Sequence, residues 1–404
     1  MKHTAFRVLI LTGVIACNEP TQPVGVPATV APAASITAAA QFSVRSLGTL
    51  GGTFSNGIGI NERTEVVGFA DLPSGELRAF LWRAGQGMRS LGTLGGANSI
   101  GVLNNDLGDV VGLSEIRPGS EVSRAFLWSQ SRGMRSLGTL GGANSVAESI
   151  NNRREVVGTS QNRNGRDRAF LWTPGRGMRS LGTLGGPFSQ AIDINDATQV
   201  VGSSATADRV EHAFLWTAAR GMEDLGTLGG ENSVAFGIAQ TGEVVGISQT
   251  AAGTDEAFLW TRGRGMRGLG TLGGPFAVAF GVNTHRRVVG SSLTASDLLL
   301  PFLWIAGEGM RRLPTLGGDF GEAVYLNEFG NISGRTTNAN GALRAALWTP
   351  AAGPLLVAST DEGPETETAA ATGPTAARAA ACTARQAPEW SRSRIAALKS
   401  CITR

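Results

Sequence analysis

Apolar residues in this chain fall in short runs with a period of two, and no stretch keeps the three-to-four spacing of a helix. Residues 145–188 display the scheme. Ser145 to Ile150 reads as a short strand, and Asn151 to Arg154 as a turn. Glu155 to Ser160 is a second strand rich in β-branched residues, followed by a polar loop from Gln161 to Asp167. Arg168 to Trp172 is a third strand, Pro174 to Gly177 a turn, and Met178 to Thr183 a fourth strand. Four strands in 44 residues suit an antiparallel meander, so the pattern predicts an all-β protein.

The unit repeats. Trp82, Trp128, Trp172, Trp216, Trp260, Trp304 and Trp348 recur every 44 residues, with one step of 46 where Pro118-Gly119 lengthens a loop. Leu-Gly-Thr-Leu-Gly-Gly begins at Leu47, Leu91, Leu137, Leu181, Leu225 and Leu269, and Leu-Pro-Thr-Leu-Gly-Gly at Leu313. Self-similarity at this period marks a propeller or a solenoid. Two details favour the propeller. The Ala-Phe-Leu-Trp strand is apolar on both alternating faces, as when sheets pack face to face. One face of the first strand is small in every copy, from Ser55 and Gly57 through Ser145 and Ala147 to Gly321 and Ala323. Slim side chains suit the innermost strand, where blades converge. The chain also enters on a lone fourth strand, Phe42 to Leu47, and leaves the last unit after its third. The expected fold is therefore a seven-bladed β-propeller of four-stranded antiparallel blades, closed by the N-terminal strand. Pro354 to Val357 competes for that closing position.

The units resemble the HAF repeat of bacterial extracellular proteins. His212-Ala213-Phe214-Leu215-Trp216 carries the full motif. Arg78, Arg124, Arg168 and Arg344 replace the histidine in four other units, and Glu256 and Leu300 in the remaining two. The resemblance covers about residues 42–350 and implies a surface or secreted propeller-like protein with no established activity. The Gly-Gly pairs resemble kelch repeats only in architecture, since the tyrosine expected there is missing.

The N-terminus reads as an export signal. Lys2 and Arg7 precede the apolar run Val8 to Ala16, too short for a span of about 20 residues. Val14-Ile15-Ala16-Cys17 resembles the lipobox of bacterial lipoproteins, which implies cleavage before Cys17 and its acylation. Several acyl chains on one residue hold a protein stably to a membrane. Asn18, where inner-membrane lipoproteins carry Asp, implies the outer membrane or cell surface. The expected domains are a signal peptide (1–16), a Pro/Ala-rich tether (17–41), the repeat domain (42–357) and a disordered tail (358–404). The tail holds a candidate short helix around Trp390 and a candidate disulfide between Cys382 and Cys401.

Composition adds little chemistry. The 57 glycines are about twice the ordinary share and lack a Gly-X-Y period, so they punctuate strands. A net charge of +3 does not argue for nucleic acid, and nearly all the basic residues are Arg. The histidines, His3, His212 and His285, neither repeat nor cluster with cysteine, and no metal or cofactor motif is present. Asn61, Asn105, Asn151, Asn195, Asn283 and Asn327 read as turn residues, with Ala239 in their place once. The seven repeat tryptophans read as core anchors. Arg132, Arg176, Arg220 and Arg264, with outer-strand arginines such as Arg135, Arg179 and Arg267, are candidates to bind an anion; a solvated edge that blocks strand pairing is the other reading. Glu148 and Asp193 form a candidate channel pair, but offsets differing by one residue would point them to opposite faces. No catalytic residues emerge. The function expected is a membrane-anchored, noncatalytic binding or scaffold module with a protein or acidic-polysaccharide partner. The alternative is a polysaccharide lyase or hydrolase working at the channel mouth.

Overall fold

The computed structural model describes residues 42–120 and 122–351. All regular structure among the described residues is β. Each repeat unit forms a four-stranded antiparallel sheet in chain order; in unit 3 the strands are Gly141–Ile150, Val156–Asn162, Asp167–Thr173 and Gly177–Ser180. Units 5 and 6 join into one eight-stranded sheet through a single parallel pairing of Asp255 with Phe276. The sheet of unit 7 takes its fourth strand from the chain's start: Phe42–Ser46 lies antiparallel to Leu343–Pro350, with Val44 opposite Trp348. Pro354 to Val357, the competing segment, lies outside the described residues, as do the signal, tether and tail.

Local chemistry sets the strand ends. The fourth strand of unit 3 stops at Ser180, short of the expected Thr183, because Leu181 donates its last N–H to Ala169 and Gly182 turns the chain at φ 87°. Each first strand carries a bulge; in unit 3 it falls between Ala147 and Ser149. The bulge explains the glycine of Val-Val-Gly, since a Cβ on Gly158 would sit 2.0 Å from the Val146 carbonyl oxygen. The innermost strands pack against one another in succession, and the first also packs against the last.

Neighbouring sheets share apolar cores of one composition. Between units 3 and 4, Ala169, Leu171 and Leu181 meet Ile194, Val200, Phe214 and Trp216. Between units 7 and 1 the matching residues Ala345, Leu347 and Leu47 meet Ile60, Val66, Phe80 and Trp82. Six of the seven repeat tryptophans are buried and Trp260 is partly so. Several are covered from the preceding sheet by an outer-strand arginine: Arg45 over Trp82 at 4.6 Å, Arg135 over Trp172 at 5.5 Å, Arg179 over Trp216 at 5.0 Å.

Polar ties cross the same junctions. The small face of the first strand holds a serine that does more than save space. Ser145 accepts the N–H of Ala125 (3.0 Å) from the preceding sheet and donates to the Gly138 carbonyl (2.6 Å) of the Leu-Gly-Thr turn. Ser99, Ser189 and Ser233 do likewise, and Ser55 holds Ala345 of unit 7 to Gly48. In unit 7 the serine becomes Gly321, and its partner becomes Pro301, which has no N–H to offer; a Cβ on Gly321 would come within 2.9 Å of the proline ring.

The asparagines also have two jobs. The Oδ1 of Asn151 accepts the N–H groups of Arg153 and Glu155, as a turn residue should. Its Nδ2 donates to the carbonyl of Asn195, the equivalent residue one unit on, at 3.2 Å. The chain of such bonds runs Asn61 to Asn105 to Asn151 to Asn195 to Ala239, then from Asn283 to Asn327 and back to Asn61 at 3.2 Å. Ala239 accepts its bond but has nothing with which to pass one on.

Removing residues 42–50 takes away the strand that covers Leu343–Pro350 and the carbonyl that holds Ser55. The truncated protein should unfold several degrees lower and self-associate through the bared edge. Unchanged thermal unfolding and a monodisperse monomer by light scattering would contradict this.

Candidate functional site

The inner strands bring a column of non-repeating residues to the axis. At the bulge position the units present Ile58, Val102, Glu148, Ile192, Phe236, Phe280 and Val324. These are buried, and Phe236 meets Phe280 edge-on with ring centres 5.6 Å apart. The next position holds Gly59, Leu103, Ser149, Asp193, Gly237, Gly281 and Tyr325. Here the symmetry breaks. Tyr325 of unit 7 crosses to Asp193 of unit 4, its hydroxyl 3.3 and 3.4 Å from the two carboxylate oxygens. Gly237 and Gly281 stand in the two units it passes on one side.

Asp193 also accepts the Ser149 hydroxyl (2.7 Å) and the N–H groups of Ile194 (2.9 Å) and Ile238 (3.0 Å). Burial pushes its carboxyl up to about 6 in spite of these donors. Burial, with the nearby Asp193 carboxylate, likewise raises the Tyr325 hydroxyl well above its ordinary value. Glu148 and Asp193 are both buried, but the bulge suspends the alternation expected from the sequence. Asp193 pairs with Ser149, the neighbour of Glu148, and the two carboxyls occupy successive levels of the axis.

One end of the axis is ringed by Glu62, Asp106, Asn152, Asp196, Gln240, Thr284 and Glu328, one from each first turn. Side chains of this ring accept the backbone N–H of the equivalent residue in the preceding unit: Asp106 from Glu62 (2.9 Å), Asn152 from Asp106 (2.9 Å), Asp196 from Asn152 (2.8 Å), Gln240 from Asp196 (2.9 Å). Glu328 receives Thr284 and passes the pattern to Glu62 of unit 1. Burial, reinforced by the charges of Glu328 and Asp106, lifts the Glu62 carboxyl to about 7. A further buried ion pair, Glu322 with Arg335, belongs to unit 7. Burial outweighs the arginine and leaves the Glu322 carboxyl above its ordinary value.

The four arginines singled out from the sequence lie exposed in the third-to-fourth strand turns, on the same end as the ring. Arg220 pairs with Glu223 at 3.2 Å. Arg176 borders a cleft of about 370 Å³ between units 3 and 4. The outer-strand arginines Arg135, Arg179 and Arg267 face tryptophans of the next sheet. His212 faces Asp224 at 2.8 Å, and His285 lies 3.4 Å from Glu328. Among the described residues no group of three or more His, Cys, Asp or Glu side chains could hold a metal ion. Cys17, Cys382 and Cys401 lie outside the described residues. Tyr325 and the ring were missed from sequence. The signal for Tyr325 was present, since it is the chain's single tyrosine and falls on an inner strand.

No family model matches the chain, and no curated protein does. Solved structures are similar in outline. TolB from Acinetobacter baumannii matches at 11% identity and a TM-score of 0.41, over 64% of this chain and 66% of that one. The chain thus spans just under two thirds of TolB. A gluconolactonase from Xanthomonas campestris matches at 12% identity and a TM-score of 0.40, over 81% and 99%. A fungal lectin from Aleuria aurantia, described as a six-bladed β-propeller, matches at 10% identity and a TM-score of 0.32, over 69% and 96%. Identities and scores this low leave function to be argued from the chain's own residues.

The Glu62 carboxyl sits near 7 in the folded chain against 4.5 unperturbed. A carboxyl raised in this way favours the fold when protonated, so its contribution is fully present below about 4.5 and lost as pH rises through 7. Glu62→Gln keeps an acceptor for the Glu328 N–H and removes the charge. Between pH 5 and pH 8 the wild type should lose stability, and the variant about 1 kcal/mol less of it, after allowance for solvent screening. Urea unfolding at the two pH values checks this; an identical loss in both proteins would contradict it.

Proposed function

We propose that the protein is a seven-bladed propeller, lipid-anchored at Cys17 to the outer membrane or cell surface, that binds or scaffolds a partner without catalysis. The seven sequence repeats and the ties from unit 7 back to unit 1 support the blade number and the closure. The observation that carries the noncatalytic reading is the use made of the axial polar groups. Asp193 receives four donors from four units, and the ring around Glu62 is spent on backbone N–H groups of neighbouring turns. Groups committed in this way stiffen a platform, and they would have to be broken to serve a substrate. The platform then offers its loops and blade junctions, where arginines and hydroxyls project.

The raised carboxyls of Glu62 and Asp193 favour a second reading, an enzyme acting on polysaccharide at this mouth, because such shifts gather at catalytic sites. Two measurements test the proposal. Cys17→Ala should move the protein from the membrane fraction to the soluble one, and the mature protein should retain glycans on an array without cleaving them. Retention in the membrane after the substitution would refute the anchor. Turnover that disappears in a Glu62→Gln, Asp193→Asn double variant would refute the noncatalytic reading.

A further inference from the structure

The seven junctions are not equivalent on the outer part of the ring-bearing end. At each one the repeat sets four equivalent positions of the following unit, two in its first turn and two at the end of its third strand. At the junction of units 2 and 3 they are Arg153, Arg154, Thr173 and Pro174; at units 4 and 5, Thr241, Gly242, Thr261 and Arg262. Units 5 and 6 place His285, Arg286, Ile305 and Ala306 there, and units 7 and 1 place Arg63, Thr64, Arg83 and Ala84. At the first three of these, long side chains cross the junction in ion pairs: Arg154 to Asp109 at 2.6 Å, Arg262 to Glu223 at 3.1 Å and Arg286 to Glu243 at 3.0 Å; Arg83 pairs within unit 1, with Glu65 at 2.6 Å. Units 1 and 2 use Leu107, Gly108, Ser129 and Gln130, and units 6 and 7 use Phe329, Gly330, Thr349 and Pro350.

Only units 3 and 4 combine four short side chains, Ala197, Thr198, Thr217 and Ala218. The cleft of about 370 Å³ lies here, within the range of small-molecule sites (about 300–1,000 Å³). Its other wall comes from unit 3 and carries Arg176, Arg179, Thr173, Glu155 and Leu171. Arg176 makes no ion pair with a described residue. The Arg179 guanidinium lies over the Trp216 ring, 5.0 Å from its centre. Glu155 is held by Asn151 (2.7 Å), Thr198 (2.9 Å) and Arg153 (3.1 Å).

We propose that this cleft binds a carboxylated sugar, a hexuronic acid unit, with the carboxylate on Arg176 and Arg179. Two guanidinium groups supply charge-assisted, planar donors for one carboxylate. Glu155 opposes a compact polyanion such as phosphate but accepts hydroxyl donors, and the Thr173 and Thr217 hydroxyls add further partners. Ala197 and Ala218 meet the C–H face of a ring. This inference deepens the binding-module reading and rests on it.

Titration calorimetry of the full mature chain with glucuronate, galacturonate and glucose tests the site. The uronates should bind in the millimolar range and glucose should not. Ala218→Arg, which copies Arg262 of unit 5 and so suits the repeat, should fill the cleft and weaken uronate binding at least tenfold. Arg176→Ala, an exposed change that leaves the core alone, should do the same. Wild-type uronate affinity retained in either variant, equal binding of glucose, or no uronate binding would overturn the site. Cleavage of an oligouronate by the wild type would instead overturn the binding-module reading, whatever Ala218→Arg does.

Discussion

A sheet stacked face to face on another buries the backbone groups at its turns, and those groups must find partners across the junction or be lost to water. This protein meets the constraint with two short side chains per unit. A serine on the first strand joins the preceding third strand to the turn that links the units, and an asparagine at the first turn joins its neighbour's carbonyl. Each bond is worth about 1 kcal/mol net, but leaving its buried partner unmade costs about 1–3 kcal/mol. Wrong spacing between sheets is therefore penalised at every junction. The apolar layers of Val, Leu, Phe and Trp supply the attraction; the polar ties fix its register.

Departures from the repeat are informative because the rest is so regular. Where Pro301 removes the N–H, Gly321 removes the serine, so the pair changed together in physical terms. The junction of units 5 and 6 lacks both ties, with Ala277 for serine and Ala239 for asparagine. There the Asp255–Phe276 pairing and the Arg286–Glu243 ion pair take over. Four non-glycine first-turn residues with positive φ, Thr64, Arg154, Thr198 and Arg286, also sit at junctions. Each side chain meets the preceding unit, Arg154 at Asp109 and Thr198 at Glu155, for example, which offsets an unfavourable backbone.

The sheet architecture could be read from the sequence because alternation, tryptophan spacing and the Gly-Gly marks all repeat. The pairing of Phe42–Ser46 with the last strand followed from the phase of the repeat. The sequence hid what depends on geometry between units. Nothing in the spacing of Asn151 and Asn195 says that one donates to the other, because the turn role alone accounts for an asparagine. The bulge hid the axial site: it interrupts the alternation at the position of Glu148, which the sequence pattern alone could not anticipate. The reach of Tyr325 across to Asp193 joins residues 132 positions apart, beyond any local signal.

Closure of the chain of sheets is the claim on which the rest turns, and amide hydrogen exchange resolved by NMR tests it most directly. Ala345 donates its N–H to Ser55 across the meeting of last and first units, as Ala125 and Ala169 do to Ser145 and Ser189 inside the chain. Ala257 faces Ala277, which has no hydroxyl to offer. The account predicts that Ala345 exchanges as slowly as Ala125 and Ala169, and more slowly than Ala257. An Ala345 amide that exchanges as fast as Ala257, while Ala125 stays protected, would mean that the ends do not meet.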